Sequence, residues 1–228
     1  MRHDLKVLLT RIETVSLVLW LLTAGAVWAF LNIASEVGEG ETLAMDRHII
    51  LALRNPADLS DPIGPRGLEE AMRDITGVGG FTVLTLVTVV AALAFLFHGK
   101  RRQSLIFAGV VIAAQWSTNL LKGFYHRPRP DLVPHGSYVY SASFPSGHST
   151  LAAATFLTLA TMIASLEPRR RTKALVYVVA GLVTIAVGVS RVYLGVHWPS
   201  DVLAGWTLGA GWALLGWILL RALTPRAA

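Results

Sequence analysis

The chain has 228 residues, 54% of them hydrophobic and only 15% charged; about a quarter of the residues of a soluble domain are charged. One integral-membrane domain over residues 1–228 is therefore expected, not a soluble globular one. The net charge of +6 points to nucleic acid or anionic lipid only if the excess sits in one patch, and the lack of cysteine excludes disulfides, thiolate metal sites and cysteine nucleophiles.

Six runs contain no Asp, Glu, Lys or Arg: Thr14 to Ser35, Ile75 to Gly99, Gln103 to Leu121, Ser149 to Leu166, Ala174 to Ser190 and Val202 to Leu220. Each approaches the roughly 17 to 25 residues a helix needs to cross a bilayer core. The expected fold class is all-α, a polytopic membrane protein of six transmembrane helices. The first run has a second reading as a signal peptide, with Ala24-Gly25-Ala26 as cleavage site, but its length and the flanking Asp4 and Glu13 favour a retained helix.

Loop charge sets the orientation, because Lys and Arg gather on the cytoplasmic side. Arg2, Lys6 and Arg11, Lys100 to Arg102, Arg169 to Arg171 with Lys173, and Arg221 with Arg226 form alternate connections and ends. These twelve basic residues face only Asp4, Glu13 and Glu167, a balance of +9, while the other side carries eight basic and eleven acidic residues, a balance of −3. The basic character is thus a topology signal and no nucleic-acid partner is implied. Both termini are expected in the cytoplasm, with the protein multi-pass in the plasma (inner) membrane. Residues 36–74, 122–148 and 190–201 then share the exterior or periplasmic face.

Within the first outer connection, Leu43, Ile49, Ile50, Leu51 and Leu53 alternate with Asp46, Arg47 and Arg54, which suits a short interfacial amphipathic helix. Pro56, Pro62, Gly64 and Pro65 interrupt it. A cap over the helix ends is the favoured role, and a lid or headgroup contact the other. Farther on, Gly205 and Gly209 have the four-residue spacing of a close helix contact.

Three polar motifs stand at the ends of apolar runs on that face. Lys122 is followed by Arg129-Pro130; prolines stiffen the segment, and Lys and Arg suit phosphate oxygens, although basic residues at helix ends also snorkel to headgroups. In Pro145-Ser146-Gly147-His148, Ser146 or Gly147 can cap the next helix and leave its N–H groups for an anion, with His148 in the first turn. Arg191 precedes His197, and Asp201 follows in the first turn of the last helix. Asp201 has two readings: it complements the helix dipole or bonds back to the cap, or it holds one His197 nitrogen and leaves the other free to attack. Three cations and two histidines suit phosphoryl transfer, where positioning and charge stabilisation dominate.

The spacing Lys-x6-Arg-Pro, Pro-Ser-Gly-His and Ser-Arg-x5-His-x3-Asp across residues 122–201 resembles the three-part signature of the type 2 phosphatidic acid phosphatase family, whose active site is shared with vanadium haloperoxidases. The resemblance implies a lipid phosphatase with neither metal nor cofactor. His197 would be the nucleophile that forms a phosphohistidine, oriented by Asp201, and His148 the acid and then the base. Lys122, Arg129, Arg191, Ser146 and the Gly147 amide would hold the phosphate. His126, Arg127 and Asp131 lie outside the signature, with headgroup contact as one role. The expected partners are the bilayer and a lipid substrate: undecaprenyl diphosphate, phosphatidylglycerophosphate or phosphatidate. A phosphotransferase using the same first half-reaction is the alternative. A metal hydrolase built on His126, His135, His148, Asp131 and Asp201 is disfavoured, because it lacks a ligand motif and faces three cations. A non-enzymatic lipid-binding or transport protein is disfavoured by the intact histidines and by the lack of an intramembrane acidic relay.

Overall fold

The computed structural model describes residues 2–137 and 141–223, with side chains from residue 14 onward. Among them are eight helices: α1 (Arg2–Glu39), α2 (Leu43–Ala52), α3 (Arg66–Val78), α4 (Phe81–Phe97), α5 (Arg101–Tyr125), α6 (Gly147–Leu166), α7 (Arg170–Tyr193) and α8 (Pro199–Leu223). A short antiparallel hairpin, β1 (Arg54–Asn55) and β2 (Asp58–Pro62), links α2 to α3. The side chains of Arg2, Asp4, Lys6, Arg11, Glu13 and Arg226, used in the charge reading, lie outside the described residues.

Five helices are long and apolar enough to cross a membrane: Thr14–Glu39 of α1, α5, α6, α7 and α8. The protein is a multi-pass membrane protein. The second apolar run departs from the expected single helix: α3 and α4 meet at Gly79-Gly80 with a bend of 48°, and a sixth span exists only if this pair counts as one. The reason is local, since glycine weakens a helix interior and a Cβ at Gly79 would stand 2.3 Å from Val187 Cγ1. The bend brings α3 against α7 while α4 packs on α5.

The bundle is centred on α6, which packs on α8, α7 and α5, with α1 along the outer side of α8. Ala152, Ala153 and Ala154 of α6 are buried, and the small-residue stripe of α8 lies directly on it. A Cβ at Gly209 would fall 2.3 Å from Thr150 O and 2.7 Å from Ala153 Cβ, and one at Gly205 2.8 Å from Ser146 O. The two backbones are therefore in contact, as the glycine spacing suggests, and this fixes the N-terminal ends of α6 and α8 side by side. Ser146 N donates to Asp201 O at 3.0 Å and ties the two ends together.

The expected helix in the first connection is α2. It does more than lie in an interface, because Asp46 and Ile50 are fully buried. In the hairpin, Arg54 is buried and Nη2 donates to Tyr193 O at 2.8 Å, so this connection is fastened to the end of α7.

Replacing Gly209 by Ala should cost about 1–3 kcal/mol by overpacking and lower the thermal midpoint in detergent by several degrees. The Gly25→Ala change, where a Cβ meets nothing within 4 Å, should leave the midpoint unchanged.

Candidate active site

Helix ends carry the polar motifs to one end of the bundle. Helix α5 stops at Tyr125: His126 takes a left-handed conformation at φ 46° and its N–H bonds Lys122 O, a terminating turn, before Pro128 and Pro130 extend the chain. Residues 141–143 fold back on this segment. Ser143 N donates to Arg127 O at 2.9 Å, Arg129 Nε to Ser141 O at 2.8 Å and Lys122 Nζ to Ala142 O. Gly195, at φ 69°, turns the chain out of α7, so that His197 returns towards α6 before α8 begins. A Cβ there would also stand 2.4 Å from Val133 Cγ2.

Lys122, Arg129, Gly147, His148, Arg191 and His197 line one cavity of about 320 Å³. Six expected site residues, remote in sequence, thus share one wall. Asp201 stands behind His197 and is fully buried. Ser146 is buried and does not line the cavity; its Oγ accepts Ser149 Oγ at 2.9 Å, and it caps α6 through its backbone without a side-chain cap bond. The first-turn N–H groups of α6 beside Gly147 and His148 present the positive end of the helix to the cavity.

His197 is 1% exposed. Its Nδ1 lies 3.2 Å from Asp201 Oδ2 and its Nε2 3.1 Å from Arg129 Nη1. A guanidinium only donates, so Nε2 is the acceptor, Nδ1 carries the proton, and Asp201 receives it. The lone pair of Nε2 therefore faces the cavity wall that holds the cations. Asp201 Oδ2 also accepts Trp198 N at 3.0 Å, so one oxygen both bonds back to the residue before α8 and contacts the imidazole Nδ1.

The cations lack acidic partners of their own. Arg191 is 2% exposed; Nη1 donates to Thr76 Oγ1 at 2.7 Å, and the buried Nε has no hydrogen-bond partner among the described residues. Arg129 Nη1 donates to Val196 O at 2.6 Å. Among the described residues no carboxylate lies within ion-pair distance of Lys122, Arg129 or Arg191. Buried or half-buried positive charge without a carboxylate is costly, and an anion in the cavity would offset it.

Asp131 and His126 are exposed, and His135 Nε2 lies 2.7 Å from Pro130 O. None of the three lines the cavity. Among the described residues no group of three or more His, Asp and Glu is placed to hold a metal ion.

Arg127 was legible only as a neighbour of the motif with a headgroup contact in view, and the structure turns it inward. Nη1 donates to Asp201 Oδ1 at 2.6 Å and Nη2 to Asp46 Oδ2 at 2.8 Å. An acid among apolar residues in α2 was the available signal for its partner. Gln115, Thr118 and Asn119 of α5 also line the cavity; their polarity within an apolar run was the signal there.

A family model for the PAP2 superfamily matches residues 103–225. The chain belongs to the PAP2 superfamily. It is 37% identical over 145 residues to phosphatidylglycerophosphatase B of Bacillus subtilis, covering 62% of this chain and 70% of that protein. To lipid A 1-phosphatase of Rhizobium etli it is 33% identical over 181 residues, covering 68% and 74%. Its fold is similar to the crystal structure of a transmembrane PAP2 type phosphatidylglycerolphosphate phosphatase from Bacillus subtilis, with a TM-score of 0.79 at 29% identity over 90% of this chain and 98% of the other. The PAP2 match spans α5 to α8 and their connections, which together supply the cavity's cations and histidines, while Gly79 and Phe81 at the break between α3 and α4 complete its lining.

Burial, then the charges of Arg129, Arg191, Lys122 and His148, hold the His197 pKa well below the usual histidine value. The unfolded chain takes up this proton near pH ~6.5, so the folded state loses stability as pH falls below that value. Imidazole 15N spectra in detergent should show His197 as the Nδ1–H tautomer, neutral through pH 6; an Nε2–H tautomer, or titration near 6.5, would contradict the geometry.

Proposed function

We propose that the chain is a metal-independent lipid phosphatase that works through a phosphohistidine. The observation that carries this reading is the set of three cations that have no carboxylate partner among the described residues and that line, with His197, a cavity that continues into an apolar one. Phe81, Gln115 and Leu151 are shared between the polar cavity and an apolar cavity of about 410 Å³ between α4 and α5. Such a sequence of surfaces suits a phosphate head on an alkyl chain. The two relatives named above, a phosphatidylglycerophosphatase and a lipid A 1-phosphatase, support the same class.

In the first step His197 Nε2 attacks phosphorus in line with the leaving oxygen, the P–O bond breaks, and His148 gives that oxygen a proton. Asp201 keeps Nδ1–H in place as positive charge develops on the ring. Lys122, Arg129 and Arg191, with the Gly147 amide, hold the non-bridging oxygens as charge shifts in the transition state; Ser146 fixes the helix end that presents the amide. In the second step His148 takes a proton from water, the hydroxyl oxygen attacks phosphorus, and the P–N bond breaks to release phosphate and restore His197.

The substrate is a lipid phosphate monoester or diphosphate of the class that includes undecaprenyl diphosphate, phosphatidylglycerophosphate and phosphatidate. Loop charge supports a cavity that opens on the exterior or periplasmic face of the plasma (inner) membrane, with both termini in the cytoplasm.

The test is phosphate release by detergent-purified protein from these three lipids in excess chelator. Release should survive the chelator, and His197→Ala should lower it by about 10³-fold or more while the thermal midpoint stays near wild type. Release that requires an added divalent cation, or normal turnover by the variant, would overturn the reading. Transfer to an added alcohol without release to water would identify a phosphotransferase.

The acid limb of kcat/KM reports the free protein's nucleophile. Because His197 is held below the usual histidine value, this limb should lie below pH ~6.5. An acid limb at or above pH ~6.5 with chemistry rate-limiting would contradict His197 as the nucleophile.

A further inference from the structure

Behind His197, on the side away from the cavity, lies a buried cluster that joins the first outer connection to the nucleophile. Arg127 stands between two carboxylates, Asp46 of α2 and Asp201 of α8, both fully buried. Nη1 donates to Asp201 Oδ1 at 2.6 Å and to Ser200 Oγ at 2.8 Å. Nη2 donates to Asp46 Oδ2 at 2.8 Å and to Thr42 Oγ1 at 3.2 Å. Asp46 also accepts Ser200 N at 2.9 Å on Oδ1 and Ser200 Oγ at 2.5 Å on Oδ2. The guanidinium lies 5.6 Å from the centre of the Trp198 ring, which holds its plane.

Charge decides what this arrangement does. If Arg127 paired with Asp201 alone, it would neutralise the carboxylate that the imidazole needs. With Asp46 present, one cation is divided between two anions and the cluster keeps one net negative charge on the His197 side. The ring is thereby set between that charge and the positive groups in front of it, Lys122 of α5, Arg129 of the following connection and Arg191 of α7, with the His148 imidazole of α6 beside them.

We propose that Asp46 and Arg127 are positioning residues for the nucleophile, with Asp46 drawing off part of the Arg127 charge so that Asp201 stays an effective anion towards His197. The proposal rests on His197 being the nucleophile, and it gives residues 36–74 a part in the reaction. A merely structural Asp46 would cap α8 through Ser200 N and tie α2 to it. Asparagine keeps that acceptor and removes the charge, so D46N separates the two roles.

The signs are opposite for the two partners. D46N removes negative charge near the ring and leaves Arg127 to Asp201, so protonation of His197 is disfavoured. R127Q removes positive charge, so it is favoured.

The experiment measures kcat/KM against pH, and the 15N titration of His197, in the full-length protein in detergent for wild type, D46N, D46A and R127Q, with thermal midpoints. D46N should keep its midpoint within a few degrees, move the acid limb and the His197 titration down by about half a pH unit or more, and lower the plateau kcat about tenfold with little change in KM. R127Q should move both upward, and D46A should add a fall in midpoint from the lost cap. Limbs and titrations that coincide with wild type, with activity tracking only the thermal midpoint, would overturn the relay. If D46N does not fold, the upward shift in R127Q decides, and its absence overturns the proposal. The titration needs no substrate, so an inactive wild type would refute the phosphatase reading while the relay is still judged by His197.

Discussion

Lys122, Arg129 and Arg191 stand in the wall of a cavity without a carboxylate of their own, and much of the surrounding fold supplies partial substitutes. Backbone carbonyls of Ala142, Ser141 and Val196 and the hydroxyl of Thr76 take their hydrogen bonds. Each acceptor comes from a segment that must already be in place: the return of residues 141–143, the turn after α7, and the end of α3. Neutral acceptors satisfy donors but do not cancel charge, so the folded protein carries an electrostatic deficit at one point that an anion completes.

Placing three cations together requires rigid carriers, and the helix contacts provide them. Because α8 lies on α6 backbone to backbone at Gly205 and Gly209, the first turns of both helices are fixed relative to each other, and with them Gly147, His148 and Asp201. The histidine between α7 and α8 is then held from both sides, by a carboxylate on Nδ1 and a guanidinium on Nε2, which leaves one tautomer. The guanidinium of Arg129 occupies the Nε2 lone pair in the free protein, so under the proposed function its move to a phosphate oxygen would free Nε2 for attack.

Much of this was legible in the sequence because burial of charge in an apolar chain is expensive and therefore local. Lys122, Arg129, His148 and Arg191 were conspicuous at the ends of apolar runs, and they converge as their helix-end positions imply. The break at Gly79-Gly80 was not foreseen, since a run free of charged residues records hydropathy and says little about backbone continuity. The motif resemblance implies a phosphate contact for Ser146, whereas the start of α6 buries its side chain away from the cavity lining. Arg127 and Asp46 were missed for a different reason: their meaning lies in a pairing across 81 residues, which neither period nor spacing records. The hairpin escaped notice because its two short strands have no alternating pattern, their register being set by the Asn55 turn, where Oδ1 accepts Ala57 N at 3.1 Å.

Under the proposed function, His197 Nε2 takes the phosphoryl group. That step is tested most directly by mixing the protein with a 32P-labelled lipid phosphate, quenching in alkali within milliseconds and locating the label by peptide mapping. A base-stable, acid-labile phosphoramidate on His197 should form before free phosphate appears. Label on another residue, or turnover with no labelled protein at any time and inversion at a chiral phosphorus, would contradict it.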